Sequence, residues 1–321
     1  MKIEKTYPFK NYFSRGGSNR AVDKVVVVMG TGGTGGYLIP HLARYISLIN
    51  KTRRGAMGSS RADTIKLVIV DGDLVEEKNL IRQNFIVSDI GKPKAEVLAR
   101  RYSTAFGLDI AYANSFLETP EAIDRVVFNQ VRNAKPIIVS CVDNNKTRRL
   151  IWKWYEKRSQ LYESFWLDSG NEEHHGQIVV GYRCRFPTIR GMDSTHTDRA
   201  PFTLPNYFEM FPTAFEDLGM LPTEEIAARA SCAEAALENP QTIFVNMMAS
   251  QVLLNILQQI LKHEPLNHHM VYFKTLTNQS SPVRLTEKNL EIAANKVSEF
   301  QDTLRELNLY DVAYKGKLKA V

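Results

Sequence analysis

The sequence predicts an α/β protein built on a Rossmann-like, mostly parallel β-sheet with helices on both faces. Three observations support this prediction. In the first half of the chain, short apolar runs typical of buried strands alternate with longer helical patterns. The first apolar run leads into a glycine-rich turn at residues 30–35. Two later runs end at Asp71 and Asp143, and ligands of such sheets bind at the carboxyl ends of the strands.

The first half contains four predicted strands. Residues 25–29, 65–70 and 136–142 are apolar runs rich in β-branched residues, and residues 108–113 show the alternation that is typical of a strand. Helices are predicted over residues 35–48 and 92–106, and a third helix begins after Thr119. Thr119 is suited to the N-cap, and Pro120 suits the first helical position. Residues 50–64 are polar and contain Arg, Gly and Ser, so they are predicted to form a loop.

The second half predicts further strands, a long crossover loop and C-terminal helices. The strands are predicted at residues 166–168, 176–182 and 271–273. Residues 186–222 have little periodicity and are rich in Pro, Phe, Asp and Thr, which predicts a long loop outside the core. The apolar run at residues 242–262 predicts a helix. Residues 286–307 predict an amphipathic helix for packing or dimer contact.

Composition narrows the class of function. The chain has 321 residues, 44% of them hydrophobic, which is ample for a full core. Its net charge of +6 is mild and spread out, so we do not expect a nucleic-acid partner. The chain shows no apolar run of membrane-spanning length and no signal-peptide core, which predicts no membrane association. Three cysteines without a pairing pattern predict reduced thiols in the cytoplasm, and the lack of CxxC predicts no structural zinc.

The glycine-rich turn follows a run of four valines. It carries four glycines, which are Gly30, Gly32, Gly33 and Gly35. Glycines let the backbone bend sharply and approach an anion, and the following helix N-terminus favours phosphate. Dinucleotide-binding and ATP-binding folds both use such a turn, and a glycine turn without any nucleotide role is the simpler alternative.

The residues after the second strand favour a triphosphate over a dinucleotide. The candidate binding residues there are Asp71, Asp73, Asn79, Arg82, Gln83 and Lys94. An acidic side chain can hold a ribose hydroxyl, whereas Arg and Lys can clamp a triphosphate, which an NAD enzyme would not need. Asp143, at the end of the fourth predicted strand, is suited to hold Mg²⁺ against phosphate oxygens. The alternative for all of these residues is a set of surface ion pairs and caps.

Five motifs occur in a fixed order within residues 22–183. They are GTGGTG at 30–35, DGDLVEEKNLIRQNF at 71–85, DIGKPKAE at 89–96, CVDNNKTR at 141–148 and LDSGN at 167–171. With these motifs the chain resembles the ThiF/MoeB/HesA family, the prokaryotic relatives of ubiquitin-activating enzymes. The resemblance implies an enzyme that binds ATP with Mg²⁺ and adenylates the C-terminal glycine carboxylate of a small β-grasp, ubiquitin-like protein.

The resemblance also assigns roles within the site. Gly30, Gly32 and Gly35 would line the phosphate turn, and Asp71 would hold the ribose. The phosphates would be contacted by Asn79, Arg82 and Lys94, and the metal would be held by Asp143. Adenylation then needs no nucleophilic side chain, because fixed cations and Mg²⁺ stabilise the charge that develops on the phosphoryl oxygens.

The resemblance predicts an organisation as well. Residues 1–183 would form the ATP-binding adenylation core. Residues 184–321 would supply the crossover loop and the substrate-facing, dimer-forming portion of the same domain. A homodimer is expected, because relatives often complete the site with an arginine from the partner's N-terminal segment. Arg15 and Arg20 are the candidates here.

Many relatives pass the activated carboxylate to a cysteine. Cys232 is the candidate acceptor, since it lies between the long loop and the apolar helix. Arg229 would favour its thiolate, whereas a buried cysteine in a helix is the alternative. Cys184, beside two arginines, is a second candidate nucleophile, and Cys141 is expected in the core.

Three other functions remain open from the sequence. The same fold would adenylate another carboxylate, such as a short peptide or a modified tRNA base. The chain would also suit a catalytically silent subunit that pairs with an active one, although the intact Arg82, Lys94 and Asp143 argue against this. An NAD(P)-dependent oxidoreductase is the residual alternative, and no group suited to hydride transfer accompanies the glycine turn.

Overall fold

One eight-stranded sheet organises the protein. The computed structural model describes residues 24–57, 64–129, 135–159, 163–183, 203–216, 242–307 and 309. The strands are β1 (Lys24–Met29), β2 (Ile65–Val70), β3 (Ile110–Ala113), β4 (Lys135–Ser140), β5 (Ser164–Asn171), β6 (His175–Arg183), β7 (His268–Lys274) and β8 (Gln279–Arg284). Their order across the sheet is β3-β2-β1-β4-β5-β6-β7-β8. The first five strands in this order run parallel, and β6, β7 and β8 are added antiparallel.

The helices lie between and after the strands. They are α1 (Gly33–Met57), α2 (Lys94–Phe106), α3 (Pro120–Phe128), α4 (Asn145–Ser159), α5 (Tyr207–Met210), α6 (Thr213–Glu216), α7 (Ile243–Lys262) and α8 (Glu287–Glu306). Two short 3₁₀ helices, Glu77–Asn79 and Val87–Asp89, lie between β2 and α2. As predicted, Thr119 caps α3, since its hydroxyl oxygen accepts a hydrogen bond from the Ala122 N–H at 3.2 Å.

Both faces of the sheet are covered by helices, as predicted. Side chains alternate along a strand, so Val26 and Val28 pack with α1, α2 and α7, whereas Val25 and Val27 pack with α3, α4 and α8. All four valines of β1 are fully buried. The apolar run at residues 25–28 is therefore explained by a central strand that is covered on both sides.

Helix α7 departs from one expectation. It is long and apolar enough, by length and composition alone, to cross a membrane, whereas no such run was expected. Nine of its residues are buried, and it packs against α1 and against β5, β6 and β7. Its apolar composition therefore serves burial against the sheet in this structure.

Several element boundaries differ from the prediction. Helix α1 continues to Met57 and so takes up the first part of the loop expected at residues 50–64. Strand β4 ends at Ser140, so Cys141 follows the strand rather than lying on it. Strand β8 was not predicted, because its sequence QSSPVR is polar and lies at the edge of the sheet, where one side is open to solvent.

Residues 203–216 correct the expectation of a loop outside the core. Phe208 and Phe215 are fully buried, and the Phe215 ring centroid lies 4.9 Å from that of Trp152 and 5.2 Å from that of Phe300. The high Phe content of this stretch therefore reflects packing on the sheet. The other parts of the predicted loop, residues 186–202 and 217–222, lie outside the described residues.

A buried charged cluster fastens the same segment to β6. Arg183 pairs with Glu209, and its guanidinium lies 3.8 Å from the Glu156 carboxylate. The Asn206 side chain donates a hydrogen bond to Glu156 at 3.2 Å. Burial raises the pKa of Glu156 to about 7, and Arg183 opposes this shift. Charged as well as aromatic contacts thus fix residues 203–216 beside the sheet.

Phe215→Ala tests whether residues 203–216 belong to the core. Removing a fully buried ring should lower the free energy of unfolding by about 3–5 kcal/mol, because a cavity remains among the surrounding aromatic side chains. Phe244→Ala is the matched control, since Phe244 is 72% exposed and its loss should cost no more than about 0.5 kcal/mol. Urea denaturation measures both values, and equal stabilities of the two variants would contradict the assignment.

Candidate functional site

A cleft opens where the strand order reverses. The chain leaves β1 toward β2 and β3 on one side, and it returns through β4 on the other side of β1. The carboxyl ends of β1, β2, β4 and β5 surround a cleft of about 820 Å³. Such a reversal point is where open α/β sheets bind their ligands, because the loops diverge to opposite faces there.

Two of the four glycines are required by close packing of the turn. Gly30 has φ +90°, and a Cβ there would lie 2.6 Å from the Cys141 carbonyl oxygen. A Cβ on Gly35 would lie 1.9 Å from the Gly30 carbonyl oxygen. These glycines let α1 start directly against the ends of β1 and β4.

The other two glycines face the cleft in different ways. A Cβ on Gly32 would meet only the Gln83 carboxamide, at 3.5 Å, so the backbone is open to a ligand there. A Cβ on Gly33 would lie 2.3 Å from Nδ2 of Asn246, which comes from α7. Gly33 therefore makes room for a side chain of this protein at the first residue of α1.

The Asp71 carboxylate ties the turn to the end of β2. Its Oδ2 accepts hydrogen bonds from the Thr31 backbone N–H and from the Thr31 hydroxyl, both at 2.7 Å. Its Oδ1 accepts a third from the Asp73 N–H at 2.9 Å. A carboxylate offers about four acceptor positions, so one position remains for an outside donor such as a ribose hydroxyl.

Two predicted cations line the cleft. Lys94 begins α2, and its Nζ lies 3.1 Å from an Asp73 oxygen, with the lysine side chain 7% exposed and the aspartate 54% exposed. Arg82 also lines the cleft, and no carboxylate of the described residues pairs with it. Of these two cations, Lys94 is therefore fixed by an ion pair and Arg82 is free to meet an anion.

Gln83 and Asn79 occupy different positions. Gln83 lines the cleft, and its Oε1 is buried without a hydrogen-bond partner among the described residues. Asn79 is buried, and its Oδ1 accepts a hydrogen bond from the Glu76 N–H at 2.8 Å. Asn79 does not line the cleft, so its visible role is to shape the loop that carries Arg82.

Asp143 lies three residues past β4, on the cleft wall. It is exposed, and its Oδ1 accepts a hydrogen bond from the Asn144 side chain at 3.3 Å. Mg²⁺ prefers oxygen ligands and is often held by one or two carboxylates together with substrate phosphates. The described residues contain no group of three or more His, Cys, Asp or Glu suited to hold a metal by themselves. Asp143 therefore fits a metal that is shared with a phosphate.

Several cleft residues were not among the sequence predictions, and two of those described here come from distant parts of the chain. Arg148 is buried, and its Nε donates to both Asp168 oxygens at 3.0 Å. Tyr207 places its ring 4.7 Å from the Arg148 guanidinium carbon. Asn171 and Asn246 line the same end of the cleft. Arg148 and Asn171 belong to two of the sequence motifs, whereas Tyr207 and Asn246 carry no local signal in the sequence.

Of the predicted cysteines and N-terminal arginines, Cys141 lies within the described residues. Cys141 lines the cleft, and desolvation by the surrounding protein raises the pKa of its thiol, which opposes a thiolate role. Cys184, Cys232, Arg15 and Arg20 lie outside the described residues.

The fold and cleft define a Rossmann-like α/β protein with a site suited to an anionic ligand. A family model described as the ThiF family matches residues 6–294. The chain belongs to the ThiF family, which confirms the resemblance of its motifs. No curated protein matches the chain significantly.

Solved structures share the fold at low sequence identity. E. coli MccB with succinimide has a TM-score of 0.50 and 16% identity, over 82% of this chain and 64% of that one. E. coli MccB with ATP has a TM-score of 0.48 and 17% identity, over 82% and 63%. PaaA has a TM-score of 0.48 and 13% identity, over 82% and 64%. The chain thus spans less than two thirds of the length of these structures.

Proposed function

We propose that the protein is an ATP-dependent adenylyltransferase that activates a carboxylate. The observation that carries this proposal is the meeting of Arg82, Lys94 and Asp143 around the open backbone of Gly32 in one cleft. Residues suited to phosphate, metal and ribose come from three separate loops and converge there. Surface ion pairs and caps would have no reason to converge on a glycine turn.

The proposed reaction transfers an adenylyl group. A carboxylate oxygen of the substrate forms a bond to the α-phosphorus of ATP, the bond from that phosphorus to the bridging oxygen breaks, and pyrophosphate leaves with the electron pair. Negative charge grows on the phosphoryl oxygens. Arg82 and Lys94 stabilise it best if they are fixed before the reaction, and the Lys94 contact with Asp73 fixes one of them.

The remaining residues hold the two substrates. Asp71 keeps one acceptor position for the ribose, and Gly32 lets the triphosphate approach the backbone. Asp143 would hold Mg²⁺, which supplies further stabilisation of phosphate charge. The exposed ring of Phe116, at the cleft wall beside β3, offers a surface for the base.

The proposed acyl substrate is the C-terminal glycine of a small ubiquitin-like protein. Support comes from the motif set of the chain, which resembles enzymes of that substrate class. A short peptide carboxylate is the alternative substrate. The pyrophosphate exchange assay described next distinguishes the two substrates.

Asp143→Ala should abolish the exchange of labelled pyrophosphate into ATP. In wild-type protein we expect exchange only when the acyl substrate is present, and we expect the variant to lose at least about 10²-fold. The assay uses a small β-grasp protein that ends in glycine, and the same protein without its last residue. Asp109→Ala is the control, since Asp109 is 85% exposed and does not line the cleft.

Three outcomes would count against parts of this proposal. Unchanged exchange in Asp143→Ala would remove Asp143 from the metal role. Exchange that responds to short peptides but not to the β-grasp protein would assign the substrate to the alternative class. No exchange with either, despite bound ATP, would contradict adenylation.

We further propose that the Cys232 thiolate attacks the acyl carbon of the adenylate, so that a thioester forms, the bond from that carbon to the phosphate oxygen breaks, and AMP leaves. Cys232→Ala should keep pyrophosphate exchange, because adenylation needs only cations and metal, but it should lose the reductant-sensitive adduct with the carrier protein. Non-reducing gel electrophoresis measures the adduct. An adduct that persists in Cys232→Ala would move the role to Cys184, and no adduct in the wild type would leave adenylation as the whole reaction.

We also propose a homodimer. Four apolar side chains on the loop that carries Arg82 are 43–76% exposed, and they are Ile81, Ile86, Val87 and Ile90. This loop borders the cleft, so a second copy seated on it would lie beside the phosphates. Light scattering should give twice the chain mass, and Ile81→Asp with Val87→Asp should give the monomer. A monomeric wild type with full exchange activity would contradict the dimer.

A further inference from the structure

Asn246 is a polar residue buried at the inner end of the cleft. It lies in the first turn of α7, is 1% exposed, and lines the cleft. Its Oδ1 accepts hydrogen bonds from the Thr34 hydroxyl at 3.2 Å and from the Asn171 side chain at 3.3 Å. Asn171 also donates to the Thr34 oxygen at 2.5 Å. The three side chains form one cluster that joins α7 and β5 to α1.

Stability does not explain this asparagine. Its Nδ2 is buried and has no hydrogen-bond partner among the described residues. An unsatisfied buried amide opposes folding, and an apolar side chain at the same position would avoid that cost. Buried polar groups without a hydrogen-bond partner are found at functional sites, where the residue is retained for its function rather than for stability.

The position of the carboxamide indicates that reason. Its Nδ2 fills the place that a side chain on Gly33, the first residue of α1, would occupy. The first turn of α1 contains no acidic residue, so its free backbone N–H groups give that end a positive potential. Asn246 adds two further N–H groups to the same end and draws the Thr34 hydroxyl toward its own oxygen.

We propose that Asn246 is a positioning residue for the phosphates of ATP, an inference that rests on the proposed function. It holds the first turn of α1 through Thr34 and through contact with Gly33, so that the backbone N–H groups face the cleft in a fixed direction. Gly33 is glycine because this carboxamide must approach the backbone. The role is separate from that of Gly32, which is open to the ligand.

The test compares two ligands that differ in their phosphates. ATP and adenosine each compete with a fluorescent ATP analogue for the full-length protein. Asn246→Ala should weaken ATP binding about tenfold and adenosine binding less than about twofold, because only ATP reaches the α1 N-terminus. The melting temperature is measured in parallel, because the variant loses the unsatisfied amide together with the two hydrogen bonds that its oxygen accepts. Asn255→Ala, an exposed asparagine on the same helix, is the control and should change neither affinity.

Thr34→Val provides a second, nearly isosteric variant that carries the test if Asn246→Ala does not fold. It should weaken ATP binding in the same selective way, and the double variant should lose little more than either single variant, because both act through one contact. Equal losses for ATP and adenosine, or no loss for ATP, would overturn the positioning role. Wild-type protein that does not bind ATP would instead contradict the proposed function.

Discussion

The geometry of the cleft depends on the three hydrogen bonds that the Asp71 carboxylate accepts. Two come from Thr31, in the glycine turn after β1, and one comes from Asp73, in the loop after β2. One side chain therefore fixes the distance between two loops that leave neighbouring strands. Charge-assisted hydrogen bonds of this kind are stronger than neutral ones, so the turn keeps its shape before a ligand arrives.

Two groups of cleft residues lie on either side of the glycine turn that Asp71 holds. On one side, the loop after β2 carries Arg82 and leads to Lys94, which contacts Asp73. On the other side, α7 crosses behind the turn and presents Asn246 to α1. The cleft is thus lined by residues that lie more than 200 positions apart in the sequence, such as Gly32 and Asn246. Both groups of residues lie beside β1 and α1. This arrangement lets packing in the second half of the chain act on the end of the cleft where α1 begins.

The sequence predicts the parallel part of the fold well because its signals are local. Apolar runs, the Thr119 cap and the glycine turn each depend on neighbouring residues, and Asp71, Arg82, Lys94 and Asp143 all lie within motifs. Tyr207 and Asn246 were missed because only tertiary packing brings them to the cleft. Phe208 and Phe215 were assigned to a loop because their segment has no helical or strand period, although it is buried.

A structure of the protein with a non-hydrolysable ATP analogue would test the central claim most directly. The account predicts the triphosphate over Gly32, the ribose beside Asp71, and Arg82 and Asp143 on the phosphate side. It also predicts that the Thr31 contacts to Asp71 are unchanged, because the turn is already formed. A nucleotide bound outside this cleft, or bound with its base over the glycine turn, would contradict the account.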